Sequence, residues 1–196
     1  MIMTKKNKQL PMKKILLTTL FLLFANSVFS QTSIYPKEEG TKIFNENGYT
    51  YQADRLGSGI IKVYNSDNKW INQTKIHKPT GDFPDENTPD LESNEWKKQT
   101  DVLYSILEES YSDEEKEKIK GIGRKGTGFV ELFINPETGK VDDVRFSFFR
   151  LSYYMYIPVS KFREIELRIK ERLQFKVTDY GKELNYIYDF HNYNFE

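Results

Sequence analysis

The chain has 196 residues, with 29 basic and 29 acidic side chains and no cysteine. The missing cysteines exclude disulfides, thiolate nucleophiles, cysteine-ligated metals and a lipid-anchored lipoprotein. The balanced charge contains no basic stripe of the kind that holds nucleic acid, so we expect no nucleic-acid partner.

The first thirty residues are predicted to be a secretory leader. Five lysines precede a ten-residue apolar run, Ile15 to Phe24, and small residues follow up to Ser30. This order is typical of signal peptides, and the apolar run is too short for a permanent anchor. A buried N-terminal helix is the alternative, and the basic flank argues against it. Met12 also begins a complete leader, so translation could start at Met1 or at Met12.

Removal of residues 1–30 would leave a single α+β domain, residues 31–196, in the periplasm or outside the cell. The five lysines leave with the leader and no acid does, so 24 basic residues remain against 29 acidic ones, a formal net charge of −5. We expect no stable membrane anchor after the leader is removed. The remaining chain is long enough to form a core that needs no disulfides.

Residues 31–77 are predicted to form β-hairpins. Large apolar residues alternate with polar ones, as in half-buried strands. They mark three strands, by Tyr49 and Tyr51, by Ile61 and Val63, and by Trp70. Residues 78–90 contain three prolines and four acids, which predicts a loop.

Residues 91–121 are predicted to form two helices. One face of the first helix carries Trp96, Gln99, Leu103, Ile106 and Leu107. The second helix begins after Ser112, and Glu115 three residues later completes a capping-box pattern. Gly121 is predicted to end it.

Residues 127–196 are predicted to form a β-β-α-β unit. Two apolar strands flank a turn that ends at Gly139, and Val141 is out of phase with the rest of its strand, which predicts a bulge near Asp142 and Asp143. Ser160 is the predicted cap of the helix that follows. A final hairpin is predicted to turn around residues 179–181.

The helix of this unit is predicted to be amphipathic. Phe162, Ile165, Ile169 and Leu173 share one face. Glu164/Arg168 and Glu166/Lys170 are predicted ion pairs on its outside. The whole pattern therefore predicts an α+β fold: N-terminal β-hairpins, a helical middle segment and a C-terminal β-β-α-β unit whose helix packs on an antiparallel sheet.

This C-terminal region resembles TonB carboxy-terminal-like domains. The shared features are a hairpin with Gly139, Val141 and Val144, an amphipathic helix, and Phe175 followed by a turn at Gly181. The resemblance implies β-β-α-β topology and a sheet edge that accepts a partner strand. The chain lacks the uncleaved anchor and long proline-rich spacer of TonB transducers. The whole chain also resembles small exported bacterial proteins of uncharacterised families.

Three sequence features resemble chemical sites, and none has the required context. Gly121, Gly123 and Gly126 spell GxGxxG, but after a helix and before a strand, the reverse of a dinucleotide site. His77 and His191 have no partner at metal-ligand spacing, although Asp189 and His191 would share a strand face. The acids of residues 82–92 are a solvated loop or a loose calcium site. We therefore predict no catalytic residue, no metal site, no cofactor and no enzyme activity.

Tyrosines in a connecting segment are the candidate interaction surface. Tyr153, Tyr154 and Tyr156 lie outside the predicted strands, and tyrosine is favoured at interfaces. The alternative is that this segment completes the core. The favoured function is a non-catalytic interaction module for an unknown envelope or extracellular protein, through these tyrosines or through an open sheet edge. A small-ligand or glycan binder, with a Tyr/Trp-lined cleft between the hairpins and the C-terminal unit, is the alternative, and a hydrolase with an unseen carboxylate pair is a third.

Overall fold

The structure is a computed structural model, and residues 33–121 and 123–195 are described. The predicted leader, residues 1–30, lies outside the described residues. The strands are β1 (Gly40–Glu46), β2 (Tyr49–Arg55), β3 (Ile60–Asn65), β4 (Gly128–Ile134), β5 (Val141–Phe149) and β6 (Ile187–Tyr193). The helices are α1 (Ser93–Ser110), α2 (Asp113–Lys120), α3 (Val159–Arg172) and the short α4 (Asp179–Lys182), with 3₁₀ turns at Gly123–Gly126 and Tyr153–Tyr156.

All six strands form one antiparallel sheet in the order β1-β2-β3-β5-β4-β6. The helices α1 and α3 pack on each other, and α3 packs on β5. The buried residues of the strands, the helices and the segment around Tyr154 form one hydrophobic core. The predicted α+β class, with hairpins first, helices in the middle and a β-β-α-β unit last, is confirmed.

The N-terminal strands form a meander. β1 pairs with β2 and β2 with β3, each antiparallel. Asn47 and Gly48 turn the first hairpin with φ of 47° and 80°, and such positive values match the twist of the paired strands. The strand predicted at Trp70 is wrong. The chain turns after Asn65, and the Trp70 backbone N–H donates to Asp143 Oδ2 at 2.8 Å, so a side chain holds this segment.

The C-terminal unit has the predicted connection order. β4 pairs with β5 on one side and with β6 on the other. Phe133 pairs with Asp143, but Ile134 pairs with Val141, so Asp142 is the extra residue of a bulge. The predicted bulge is therefore confirmed. The pairing of β3 with β5 joins this unit to the meander.

Two local predictions in this unit are wrong. Ser160 does not cap α3, because the helix already begins at Val159 and Pro158 is its N-cap. The predicted final hairpin is absent from the described residues. Residues 179–182 form α4 instead, since the Thr178 hydroxyl accepts a hydrogen bond from the Gly181 N–H and caps a helical turn.

Candidate functional site

The sheet ends at β6, whose outer edge pairs with no described strand. In an antiparallel strand the N–H and C=O of one residue point to the same side, and successive residues alternate. The Tyr104 hydroxyl of α1 donates to the Asn192 carbonyl at 3.1 Å. Asn192 therefore directs its backbone outward, and by alternation so do Tyr188 and Phe190.

Side chains satisfy only part of this edge. The Asn192 carbonyl accepts from Tyr104, and the Phe190 N–H donates to Asp189 Oδ1 at 3.1 Å. The N–H and C=O of Tyr188, the C=O of Phe190 and the N–H of Asn192 have no protein partner among the described residues. These four groups form a short row of donors and acceptors for an extended chain.

Aromatic side chains flank the edge on both sides. Trp96 and Tyr104 lie two turns apart on α1, on the helix side of the sheet. Tyr188 and Phe190 project from β6 to the opposite face, because side chains alternate along a strand. All four are between 39% and 50% exposed. Exposed large apolar groups that lie together are typical of interaction surfaces.

Hydrogen bonds fix the helix-side ring of Trp96. Its Nε1–H donates to Asp189 Oδ2 at 2.9 Å, and His191 Nε2 lies 2.7 Å from the same oxygen. The indole also stacks on the buried His191 ring, with centroids 6.0 Å apart. Asp189 and His191 therefore share a face, as the sequence predicts, and they position Trp96 beside the edge.

The buried carboxylate of Glu131 fixes the Tyr188 ring on the open face of the sheet. Glu131 accepts hydrogen bonds from Tyr188 Oη at 2.8 Å, Arg145 Nε at 2.9 Å and Ser147 Oγ at 3.1 Å. Burial acts to raise the pKa of Glu131, but the hydrogen bonds and charge of Arg145 outweigh it and leave the pKa lowered. Burial, with the Glu131 charge added, raises the pKa of Tyr188. Tyr188 is therefore a neutral donor with a fixed ring.

A groove opens where β6 begins. It has a volume of about 580 Å³ and lies beside the first turn of α1. Its apolar lining is Leu91, Trp96, Ile187 and Tyr188, and its polar lining is Asp90, Ser93, Asn94 and Lys97. A second hollow of about 560 Å³ shares Asp90 with it, and its other lining residues are Lys75, Phe83, Pro84, Asp85, Glu86, Thr88 and Pro89.

Of the three tyrosines predicted to form an interaction surface, one lies in the core and two are exposed at least in part. Tyr154 is fully buried and packs on Phe148 and Tyr193, so it belongs to the core and not to an exposed surface. The periodicity of a 3₁₀ turn explains this, because residues three apart, such as Tyr153 and Tyr156, share one face and Tyr154 does not lie on it. Tyr153 and Tyr156 are at least partly exposed, with ring centroids 5.7 Å apart.

Sequence reasoning missed the four aromatic residues at β6 as a site. It assigned Trp96 to the apolar face of a helix, and it predicted only a final hairpin where Tyr188 and Phe190 lie. The signal that the sequence did offer is Tyr104, a large aromatic residue outside the predicted apolar face of α1. What the sequence could not show is that β6 is the last strand of the sheet.

His77, the other histidine, contacts residues at α4. His77 Nε2 lies 2.7 Å from Glu183 Oε2, and its ring stacks on Tyr180. Across the described ranges, no group of three or more acidic or histidine side chains is arranged to hold a metal ion. None of the helices within those ranges is long and apolar enough to cross a membrane.

Comparisons with known proteins give a family and a structure. Residues 31–190 match the sequence model of a family described as a domain of unknown function, DUF5043. A crystal structure of a DUF5043 family protein from Bacteroides uniformis has a TM-score of 0.71 and 30% sequence identity, over 83% of this chain and 94% of that chain. No curated protein matches the chain. The resemblance to TonB carboxy-terminal domains is not confirmed by these comparisons, although the β-β-α-β topology is present.

Proposed function

The chain belongs to the DUF5043 family, and we propose that it is an exported, non-catalytic module that binds a protein by adding a strand of that protein to the free edge of β6. Export rests on the leader pattern of residues 1–30. Strand addition rests on one observation, the four unpaired backbone groups between two pairs of exposed aromatic rings.

Protection of the β6 edge is incomplete, which supports the proposal. Exposed edges are usually blunted by lysine, proline, a bulge, an inward-pointing charge or a covering segment. The segment Ile187–Tyr193 contains no lysine or proline, and its register with β4 is unbroken. Asp189 and His191 point toward α1, and the Tyr104 hydroxyl covers the Asn192 carbonyl, but these contacts leave the four unpaired backbone groups uncovered. Aromatic groups beside such an edge can contact alternate side chains of an added strand. This arrangement is typical of β-strand addition.

The titratable side chains near the edge have structural roles. Asp189 holds Trp96 and His191, and Glu131 holds Tyr188 and Arg145. We therefore assign them to the positioning of the aromatic rings and assign no reaction to the site.

Proline at residue 192 tests strand addition. The Asn192 N–H points away from the sheet, so Asn192→Pro removes a free donor and blocks a new strand without breaking the pairing with β4. Asn192→Ala is the matched control, because it changes the same side chain and keeps the N–H. Both variants are first shown by circular dichroism to be folded.

The measurement is capture of proteins from envelope and culture-medium extracts, followed by titration with the purified partner. Wild type and Asn192→Ala should bind the same partner, and Asn192→Pro should bind it roughly three- to tenfold more weakly, since one backbone hydrogen bond is lost. Equal binding by Asn192→Pro would contradict strand addition. If binding is instead lost in the variant Tyr153→Ser/Tyr156→Ser, the partner contacts the 3₁₀ turn and not the β6 edge.

A glycan binder is the second candidate. The groove combines the Trp96 and Tyr188 rings with the polar side chains of Ser93 and Asn94, and aromatic faces beside hydrogen-bonding groups suit a sugar ring. A glycan screen tests it. Equal binding of a sugar to wild type and to Asn192→Pro, with loss of binding in Trp96→Ala, would favour this function over strand addition.

A further inference from the structure

We infer that the strand added at β6 comes from a segment that carries a large apolar side chain followed by lysine or arginine. The inference rests on the proposed function, because it describes what a strand at this edge would meet. Its basis is the groove and the hollow that continue the edge beyond Tyr188.

The apolar requirement follows from the position of the groove. A strand paired antiparallel with β6 runs from the Tyr193 end toward the Ile187 end, and it advances about 3.3 Å per residue. Its side chains alternate between the helix side and the open face. At the Tyr188 end, a side chain on the helix side meets Leu91, Trp96 and Ile187. A volume of about 580 Å³ accommodates a phenylalanine, tyrosine or leucine side chain, whose burial there is favourable.

The basic requirement follows from the charges in the adjoining hollow. Asp85 and Glu86 line it, and neither forms an ion pair within the described residues. Lys75, the one cation of that lining, is already paired with Asp90 at 2.5 Å. Lys97 is the only opposing cation in the first groove. The end of the site is therefore acidic and complements a cation.

The walls of the hollow also fit a long cationic side chain. Phe83 is 81% exposed and adjoins Pro84, and such apolar groups pack against the methylene stem of lysine or arginine. Thr88 Oγ1 and the Asn87 N–H donate to Asp85 at 2.7 Å and 3.0 Å. The hydrogen bond from Thr88, and then those from Asn87, lower the pKa of Asp85, so its carboxylate stays charged.

The test is selection from a bead-displayed library of random, end-blocked decapeptides with the mature chain, residues 31–196. Enriched peptides are then titrated against five proteins. These are wild type, Asn192→Pro, Asn192→Ala, Asp85→Asn/Glu86→Gln, and Asp82→Asn, which neutralises an acid of the same loop outside the hollow.

The expected result is a consensus with an apolar residue followed by lysine or arginine. Binding should fall roughly three- to tenfold in Asp85→Asn/Glu86→Gln, in line with one or two exposed ion pairs, and should be unchanged in Asp82→Asn. Peptides with N-methylated alternate amides should fail to bind, because they cannot pair with β6.

Three other results are possible, and they separate this inference from the proposed function. If Asn192→Pro weakens binding but the consensus lacks the basic residue, or Asp85→Asn/Glu86→Gln binds normally, the inference is wrong and strand addition stands. If no peptide is enriched, or Asn192→Pro binds every peptide as wild type does, both are wrong. Dimerisation of wild type but not of Asn192→Pro in sedimentation would make a second copy the occupant, and would also overturn the inference.

Discussion

Glu166 is a charged residue of α3 that lies fully inside the protein. The Tyr51 hydroxyl of β2 donates to it, Arg163 Nη1 lies 3.2 Å from Oε2, and Lys170 Nζ lies 2.7 Å from Oε1. Burial of a carboxylate is strongly unfavourable unless such partners compensate for the lost water. Glu166 therefore joins α3 to β2 through charge as well as through apolar contacts.

Replacement of Glu166 by alanine should destabilise the fold. It leaves the Tyr51 hydroxyl without its acceptor and two cations without their anion. We expect a loss of about 2–4 kcal/mol, toward the lower end because Arg163 and Lys170 reach solvent. Urea unfolding followed by circular dichroism measures it. Glu164→Ala is the matched control, since its pair with Arg168 is exposed and should contribute less than about 0.5 kcal/mol. Equal losses in both variants would contradict this role.

The sequence predicted the Glu166–Lys170 pair but placed it on the outside of α3. The i,i+4 spacing is local, so the pair could be read from the pattern. The error arose because Glu166 lies next to Ile165 on the edge of the apolar face, and only the tertiary structure shows Tyr51 packed over that edge.

Glu131 should make the free energy of unfolding depend on pH. Its pKa is lowered in the folded protein by Arg145, against the effect of burial. The unfolded chain therefore takes up this proton more readily. The stabilisation is complete above the ordinary glutamate pKa of 4.5 and is lost as the pH falls through the lower folded value.

Glu131→Gln should thus be less stable than wild type at pH 7, by about 1–3 kcal/mol, and the difference should shrink below about pH 4. Urea titrations from pH 7 to pH 3 give the difference. The comparison of variant and wild type is needed because burial raises the pKa of Asp143, which gives a pH dependence of opposite sign. A difference that stays constant over this range would show that Glu131 is not charged at pH 7.

At the scale of elements, α2 depends on its cap. It has eight residues, and Ile119 is the buried one. Ser112 accepts from the Glu115 N–H, and the Glu115 side chain accepts from the Ser112 N–H, as the sequence predicts. Because a helix this short buries little surface, the cap contributes a large share of the stability of α2.

Ser112→Ala should therefore cost about 1 kcal/mol and act mainly on α2. Hydrogen exchange should be faster at the amides of α2 and nearly unchanged in β4 and β5. Ser105→Ala is the control, because that hydroxyl bonds only to Glu109 on the outside of α1 and alanine favours helices. If both variants exchange alike, the capping box does not stabilise α2.

Elements with a strong local signal were predicted correctly, and those without one were not. Val141 out of phase marked the bulge at Asp142, and the Ser112 cap marked α2. Trp70 had the size and aromatic character of a strand residue, but its segment is held by Asp143 across the fold. Residues 174–177 take part in β-pairing only through isolated bridges, and their neighbours form α4, because the Thr178 cap favours a helical turn over a hairpin.

At the scale of the whole molecule, strand order decides the candidate site. The pairing of β3 with β5 places the meander on one side of the C-terminal unit, and β6 then takes the outer side of β4. This arrangement leaves β6 at an edge and brings α1, far away in sequence, beside it. Trp96 and Tyr104 thereby meet Asp189, His191 and Asn192.

The sequence alone determined the α+β class, the β-β-α-β order, the bulge and the α2 cap, because each depends on neighbours within a few residues. It also predicts export, through the leader pattern. The tertiary structure alone decided that Tyr154 is core, that Glu166 is buried and that β6 has a free edge. Those properties depend on which distant segments cover a residue, and long-range packing is not encoded in the periodicity of any one segment.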